Sequence, residues 1–456
     1  MNSPQSLAVA NQISDKLFAA RNAGTLQTNE TPAHPSNVTL ANGQFILKSS
    51  GNVVNTAGHG YNYASDLVGG NRVTIEAGAS MISGQLGDTI FGLGADTIAA
   101  GGGNNDITVG SAPGAGNEIV TADGNDTICA TGSSTIDAGL GANVVFSLNS
   151  TGNVSKLLSS GQDILVETGS GSQVASVSGH QTLVVVDQDA GGASSVIASG
   201  LNIGILGVGA GSLSVTISGA NDTLSAATSG PTAVVASSNA VVFGGPSSLS
   251  FIGEGTGTPT IVGYAGSQES LRFGAGGGVF ADNGADANVT VGAGQATIFG
   301  GAGGVINVFG SQSGALFVGG AGNETVDASQ SNMSGGTGNA FWAGSGNDVL
   351  IAGAGAATLG AGAGHDTLTG GPGSDAFVFF AAQTAGANVT TINNFGGSDG
   401  AFILNYGETA AQVLATASVD GSGLTISLSD NTRITFTGMT QVSSLYGHIL
   451  VADQRV

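Results

Sequence analysis

The sequence predicts an all-β solenoid: a right-handed parallel β-helix or β-roll with a short N-terminal helix and a β-rich C-terminal cap. Three observations carry this. Residues 343 to 378 read AGSGNDVLI, AGAGAATLG, AGAGHDTLT and GGPGSDAFV, four consecutive nine-residue units with glycine second and fourth and a large apolar residue eighth. A fixed period outranks other signals, because such a unit buries its apolar face only by stacking on its neighbours. A longer period follows Ser160-Gly161, Ser178-Gly179, Ser199-Gly200 and Ser218-Gly219, spaced 18, 21 and 19 residues and each followed by a β-rich run. Composition agrees: 81 glycines and 8 prolines without a Gly-x-y period exclude collagen, while 41% hydrophobic and 8% charged residues exclude an ordinary disordered chain.

Taken in order, residues 1–70 hold a helix and a polar lead-in. Ser3 is the expected N-cap and Pro4 the first-turn residue, with Leu7, Ala10, Ile13, Leu17 and Phe18 on the apolar face. We expect this helix to cap an open solenoid end. It lacks the basic start and unbroken apolar core of a signal peptide, and no apolar stretch is long enough to span a membrane. Residues 71–147 read as degenerate glycine-turn coils, in which SGQLGDTIF, GLGADTIAA and GGGNNDITV place Asp88, Asp96 and Asp106. Residues 148–281 lose the sixth-position acid, so stacked Val, Ile and Leu are expected to supply their cohesion. Residues 282–380 hold the nonapeptides, whose last three residues form a short strand with Leu350, Leu359, Leu368 and Phe377 facing the core. In residues 381–456, GLTISLSDNTRITFTGM (423 to 439) reads as a hairpin with Asp430-Asn431 at its turn.

The unit G-G-x-G-x-D-x-U-x resembles the calcium-binding nonapeptide of the repeats-in-toxin (hemolysin-type repeat) family, specifically over Gly319–Val378 and more loosely over Ser83–Ser147. In that family two nonamers make one coil, which puts residues eighteen apart on the same edge. The resemblance implies Ca²⁺ between Asp348 and Asp366, ligated also by carbonyls of the turns Gly344–Gly346 and Gly362–Gly364, since hard oxygen ligands suit that ion. Asp375 is a further ligand facing Ala357, where the carboxylate is missing. Asp88 and Asp106, also eighteen apart, are expected to form a second site. Glu324 and Ala340 stand where the repeat has aspartate. DAFVFF (375 to 380) and TTINNF (390 to 395), followed by the hairpin, resemble the C-terminal domain of type I secreted proteins. That implies an uncleaved export signal, the type I secretion machinery as a partner, and an extracellular or bacterial cell-surface location.

Charge and chemistry narrow the function. Lys and Arg total 8 against 30 Asp and Glu, for a net charge of −22, which leaves no footprint for nucleic acid or anionic lipid. No HExxH motif is present, and the only Gly-x-Ser-x-Gly, at 396 to 400, precedes a strand rather than a helix. His34, His59, His180, His365 and His448 stand singly. Lys156 and Arg272 are the only Lys or Arg between residues 73 and 432; a polyuronate lyase or epimerase needs more, and Arg272 with Glu269 reads as a surface ion pair. Cys129, after Ile128, reads as a small buried hydrophobe. The expected function is therefore non-enzymatic: a secreted calcium-binding adhesin, matrix or surface-layer component, with a cell-surface or matrix polysaccharide as partner. A carbohydrate-active β-helix enzyme is the alternative, and end-to-end self-association into a fibre a third reading.

Overall fold

The structure, a computed structural model, describes residues 4–29, 37–38, 44–47, 50–56, 58, 63–111, 115–150, 152–189, 191–310, 313–332, 338–381 and 388–453. The chain forms two compact units, Met1–Thr232 and Ala233–Val456. Both are parallel β-solenoids in which each coil gives one strand to each of two sheets.

In the first unit each strand pairs with the next but one. Val144–Asn149 runs parallel to Thr127–Thr131 and Ile164–Gly169, whereas the intervening Val154–Ser159 pairs with Ser172–Val177 in the other sheet. We call the sheet holding Val154–Ser159 the first and that holding Val144–Asn149 the second. The register stacks like on like: Val145, Leu165, Val184 and Ile205 in the second sheet, and Leu157, Ala175, Val196 and Val215 in the first, all buried. From Val144 to Ile217 every strand has six residues. In the glycine-turn coils before it, Thr89–Gly92 and Thr97–Ala99 have only four and three.

The recurring Ser-Gly marks one turn of these longer coils. A Cβ on Gly179, Gly200 or Gly219 would lie 1.9, 1.8 and 1.8 Å from the carbonyl oxygen of the glycine one coil back. Only glycine allows the turns to stack so closely. Two residues further on, Gln181, Asn202 and Asn221 adopt left-handed φ values of 56°, 56° and 60°, a conformation that asparagine tolerates better than glutamine does.

The N-terminal helix, α1, spans Pro4–Asn22; Ser3, its expected cap, lies outside the described residues. Its buried face is Val9, Ala10, Ile13, Leu17 and Ala20, while Leu7 and Phe18, placed on that face from sequence, are 53% and 58% exposed. The helix packs on Ile82, Ala99 and Val120. It therefore lies along the flank of successive coils, not across a solenoid end. Cys129 also differs from expectation: Ile128 points inward, so the period-two alternation turns Cys129 to the outer face, where it is half-buried.

In the second unit Phe280, Ile298, Phe317, Phe341, Leu359 and Phe377 stack in register along the second sheet, all fully buried. Val326, Leu350, Leu368 and Ile392 do the same in the first. The four eighth-position residues thus face the core as the repeat requires. The first sheet ends when Arg433–Thr437, parallel to Val389–Asn393, turns back on Gly423–Ser427 in an antiparallel hairpin. Asn431, at φ 70°, makes its turn. The second sheet ends with Ile449–Ala452. A short helix, α2 (Ala410–Ala415), starts with a capping box between Thr409 and Gln412 and buries Val413. The β-rich cap is thus present.

Candidate functional site

From Asn71 to Asp163 the residue just before each second-sheet strand points into the turn and binds the neighbouring coil. The backbone N–H of Asn71 donates to Asp88 Oδ1 (2.9 Å), Asp88 to Asn105 (3.0 Å), Asn105 to Asp126 (2.7 Å), Asp126 to Asn143 (2.8 Å) and Asn143 to Asp163 (3.0 Å). All are buried. Amide and carboxylate alternate along this ladder. The alternation has a chemical use, because Asn105 Nδ2 also donates to Asp126 Oδ1 (2.9 Å) and Asn143 Nδ2 to Asp163 Oδ1 (2.9 Å). Asp126 and Asp163 thus each receive a neutral side-chain donor, and the carboxylates of the ladder itself stand two coils apart; Asp66, off the ladder, lies beside Asp88 and adds its charge there. Burial still raises the carboxyls of Asp126 and Asp163 above their ordinary range, and that of Asp88 to about 7.

This register corrects the expected Asp88–Asp106 site. Asp106 lies opposite Thr89, one position past the rung, and faces solvent. Asn105 stands where Asp106 was expected, because the preceding turn, Gly92–Asp96, is one residue shorter than that of a regular nonapeptide. Asp163 and Asp222 also occupy rung positions in the stretch read as free of carboxylates in register, with Asp222 Oδ1 accepting from Ile203 N (2.8 Å).

In the second unit a ladder of the same kind runs along the first sheet, with acids at three successive rungs. Glu324 N donates to Asp348 Oδ1 (2.8 Å) and Asp348 N to Asp366 Oδ1 (3.2 Å). The glycine turns close on the other oxygens, with Gly344 N to Asp348 Oδ2 (3.1 Å) and Gly362 N to Asp366 Oδ2 (2.9 Å). Three acids therefore follow one another on adjacent coils. Glu324 is fully buried and neither of its carboxyl oxygens has a hydrogen-bond partner. Desolvation, then the Asp348 carboxylate, pushes its carboxyl up to about 8; desolvation also raises Asp366 to about 6.

Whether these residues fit Ca²⁺ differs from turn to turn. At Glu324, desolvated oxygens without a hydrogen-bond partner suit a hard cation, whereas Asp348 accepts a backbone N–H on each oxygen. Asp375 is already served, by Ala357 N (2.8 Å) and Gly371 N (2.7 Å), and hands the ladder on through its own N–H to Asp399 Oδ1 (2.9 Å). Gly344 O accepts from Ala363 N (2.9 Å), and Gly346 pairs in register with Gly364, whose N–H donates to Asn388 Oδ1 (2.8 Å). These glycines stack turn on turn. Among the described residues no three His, Cys, Asp or Glu side chains converge as a metal cage, so an ion here would draw its remaining ligands from backbone or water oxygens.

Sequence reasoning missed the asparagine rungs; the signal was an Asn or Asp immediately before successive strands. It also missed Glu167, fully buried inside the first unit with neither oxygen hydrogen-bonded, where burial pushes its carboxyl up to about 8. The expected Arg272–Glu269 pair is not formed. Strand Gln268–Arg272 turns Glu269 inward, where Oε1 accepts from Ser267 Oγ (2.6 Å), and Arg272 outward, where with Glu254 it lines an open cleft of about 440 Å³. Ser398 donates to Gly373 O (3.3 Å) in the turn before strand Gly400–Leu404. His34 and His59 lie outside the described residues; His448 Nδ1 lies 2.7 Å from Asp399 O. No protein-family model matches the chain, and comparisons with curated proteins and with solved structures returned no match.

Proposed function

We propose that the protein is a secreted calcium-responsive scaffold, acting as an adhesin, matrix or surface-layer component. The observation that supports this most is the uninterrupted acidic run Glu324, Asp348, Asp366, set beside the amide-relieved ladder of the first unit. When bound, Ca²⁺ would neutralise these adjacent carboxylates. Glu324, Asp348 and Asp366 would hold it, and their backbone ladder would transmit the gain to neighbouring coils, so that binding free energy appears as folding free energy. Type I export and a polysaccharide partner rest on the nonapeptides and on the likeness of residues 375 to 439 to a secretion domain.

The test is limited proteolysis of the full chain, with fragments identified by mass, in chelator and across about 0.1–5 mM Ca²⁺, the affinity range of extracellular modules. Cleavage within residues 319 to 393 should slow with Ca²⁺, while the coils of residues 63 to 226 stay unchanged. Mg²⁺ should substitute poorly. Equal cleavage with and without Ca²⁺ would remove the calcium reading.

A further inference from the structure

The first unit carries a sheet face that is apolar on the outside. In strands Val144–Asn149, Ile164–Gly169 and Leu183–Gln188, the outward residues Phe146, Leu148, Ile164 and Leu183 are 41, 47, 44 and 42% exposed. Val185 and Leu206 extend the same surface by register. The strand before it, Thr127–Thr131, turns Thr127, Cys129 and Thr131 outward, and the patch ends one coil further back with Asp106 and Thr108 and on the other side with Thr223 and Ser225. These strands send polar groups inward instead, with Ser147, Asn149, Glu167 and Gln188 all buried. Because side chains alternate strictly, a one-residue slip would exchange the two sets. The apolar set nevertheless faces out. Runs such as VVF, ILV and LVVV are what parallel strands covered on both faces contain. The first sheet of the same coils is more polar outside, with Ser172, Ser176, Ser195, Ser214 and Thr216.

We infer that this face of the second sheet packs face to face on the same face of a second copy of the chain. Among the described residues nothing lies over it; α1 packs on Ile82, Ala99 and Val120. A polyanionic chain would be repelled by an anionic membrane, and the patch has no Lys, Trp or Tyr to anchor it at a lipid interface. The face carries one exposed charge, Asp187, at the end of its strand row beside Thr168, and is otherwise apolar. A partner must be flat and apolar over the rest; a second copy is, and a two-fold axis makes the contact self-complementary. The exposed apolar area is about 500 Å² per copy, at the upper end of what monomers leave open. Two copies would bury about 1,000 Å², which suits a reversible dimer in the micromolar range. This is a side-by-side contact of sheet faces, unlike the end-to-end fibre considered from sequence.

The test is sedimentation equilibrium of the full chain from about 1 to 200 μM, spanning that range, with Cys129 as a built-in reporter because it lies beside Phe146 on this face. A concentration-dependent dimer is expected, with pulse alkylation of Cys129 slowing at least about threefold across the series as mass action fills the contact. Ile164→Lys with Leu183→Lys should abolish both effects. That change makes the chain less anionic, so generic repulsion falls while the patch is broken. Ser195→Lys with Ser214→Lys on the first sheet should leave the dimer intact. A monomer at all concentrations, a dimer indifferent to the patch lysines, or Cys129 protection independent of concentration would each overturn the inference. If the patch variant misfolds by circular dichroism, the wild-type alkylation series decides.

Discussion

At the scale of single residues, steric and desolvation terms dominate. Gly200 has no room for a methyl group: its Cβ would lie 1.8 Å from Gly179 O, and the obstacle is backbone that cannot swing away. Gly200→Ala should lower stability by about 2–4 kcal/mol, measured by denaturant unfolding. Full retention of stability would mean that the turns do not stack this closely. Glu167 presents the opposite case, a group whose removal should help. It is an acid held neutral in an apolar interior, so Glu167→Leu should stabilise the first unit by about 1–3 kcal/mol at pH 8. The gain should fade towards pH 4, where the wild-type carboxyl is protonated in folded and unfolded chains alike. The same scale shows what was hidden in the sequence. Asp106 and Asn105 are neighbours of similar shape, and a single shortened turn decides which enters the ladder. Glu167 was hidden for a related reason, since alternation is unambiguous only after the phase of the strand is known.

At the scale of the coil, the two ladders differ by one functional group. An asparagine rung and an aspartate rung accept the same backbone N–H, yet only asparagine brings a donor for the carboxylate above. Asp348→Asn should therefore keep the Glu324 N contact, at the loss of the one from Gly344 N, while separating Glu324 from Asp366 by a neutral rung. We expect the calcium-free second unit to become more stable and its response to Ca²⁺ to shrink, read as melting temperature in chelator and in Ca²⁺. A variant that loses stability in chelator would show that Asp348 is needed as an anion even without metal. Much of the coil was legible beforehand: the nonapeptide period located Leu350, Leu359, Leu368 and Phe377 in the core, and Asp430-Asn431 located the hairpin turn. The helix was legible as a helix but not in its placement. Val9 and Ala20 continue the helical spacing of Ile13 and Leu17 as well as Leu7 and Phe18 do, and only the neighbouring coils settle which face is covered.

At the scale of the whole molecule, the formal charge of −22 overstates the charge carried near neutrality. Carboxyls raised by burial include Asp96 (to about 6), Asp88 (to about 7), Glu167 and Glu324 (each to about 8) and Asp366 (to about 6). A raised folded value means that the native chain binds the proton more tightly than the unfolded chain. These groups impose no penalty below the unfolded value near 4. Their penalty grows as pH rises from there through each folded value, and is constant above about 8. Thermal melting in chelator should accordingly fall steadily from pH 5 to pH 8, with Ca²⁺ recovering part of the loss in the second unit alone. Melting that rises from pH 5 to pH 8 would contradict the burial of these carboxyls.

The spacing of the rungs carries one further consequence. Successive contacts of the first ladder span 17, 17, 21, 17 and 20 residues, yet the hydrogen bond at every step is the same. The surplus is taken up elsewhere in the coil, as between Val109 and Asn117, where seven residues stand in place of the four between Gly92 and Thr97. Length variation is thus decoupled from the spine that fixes coil to coil. Such a chain can gain or lose surface loops, and with them binding specificities, without re-registering its sheets.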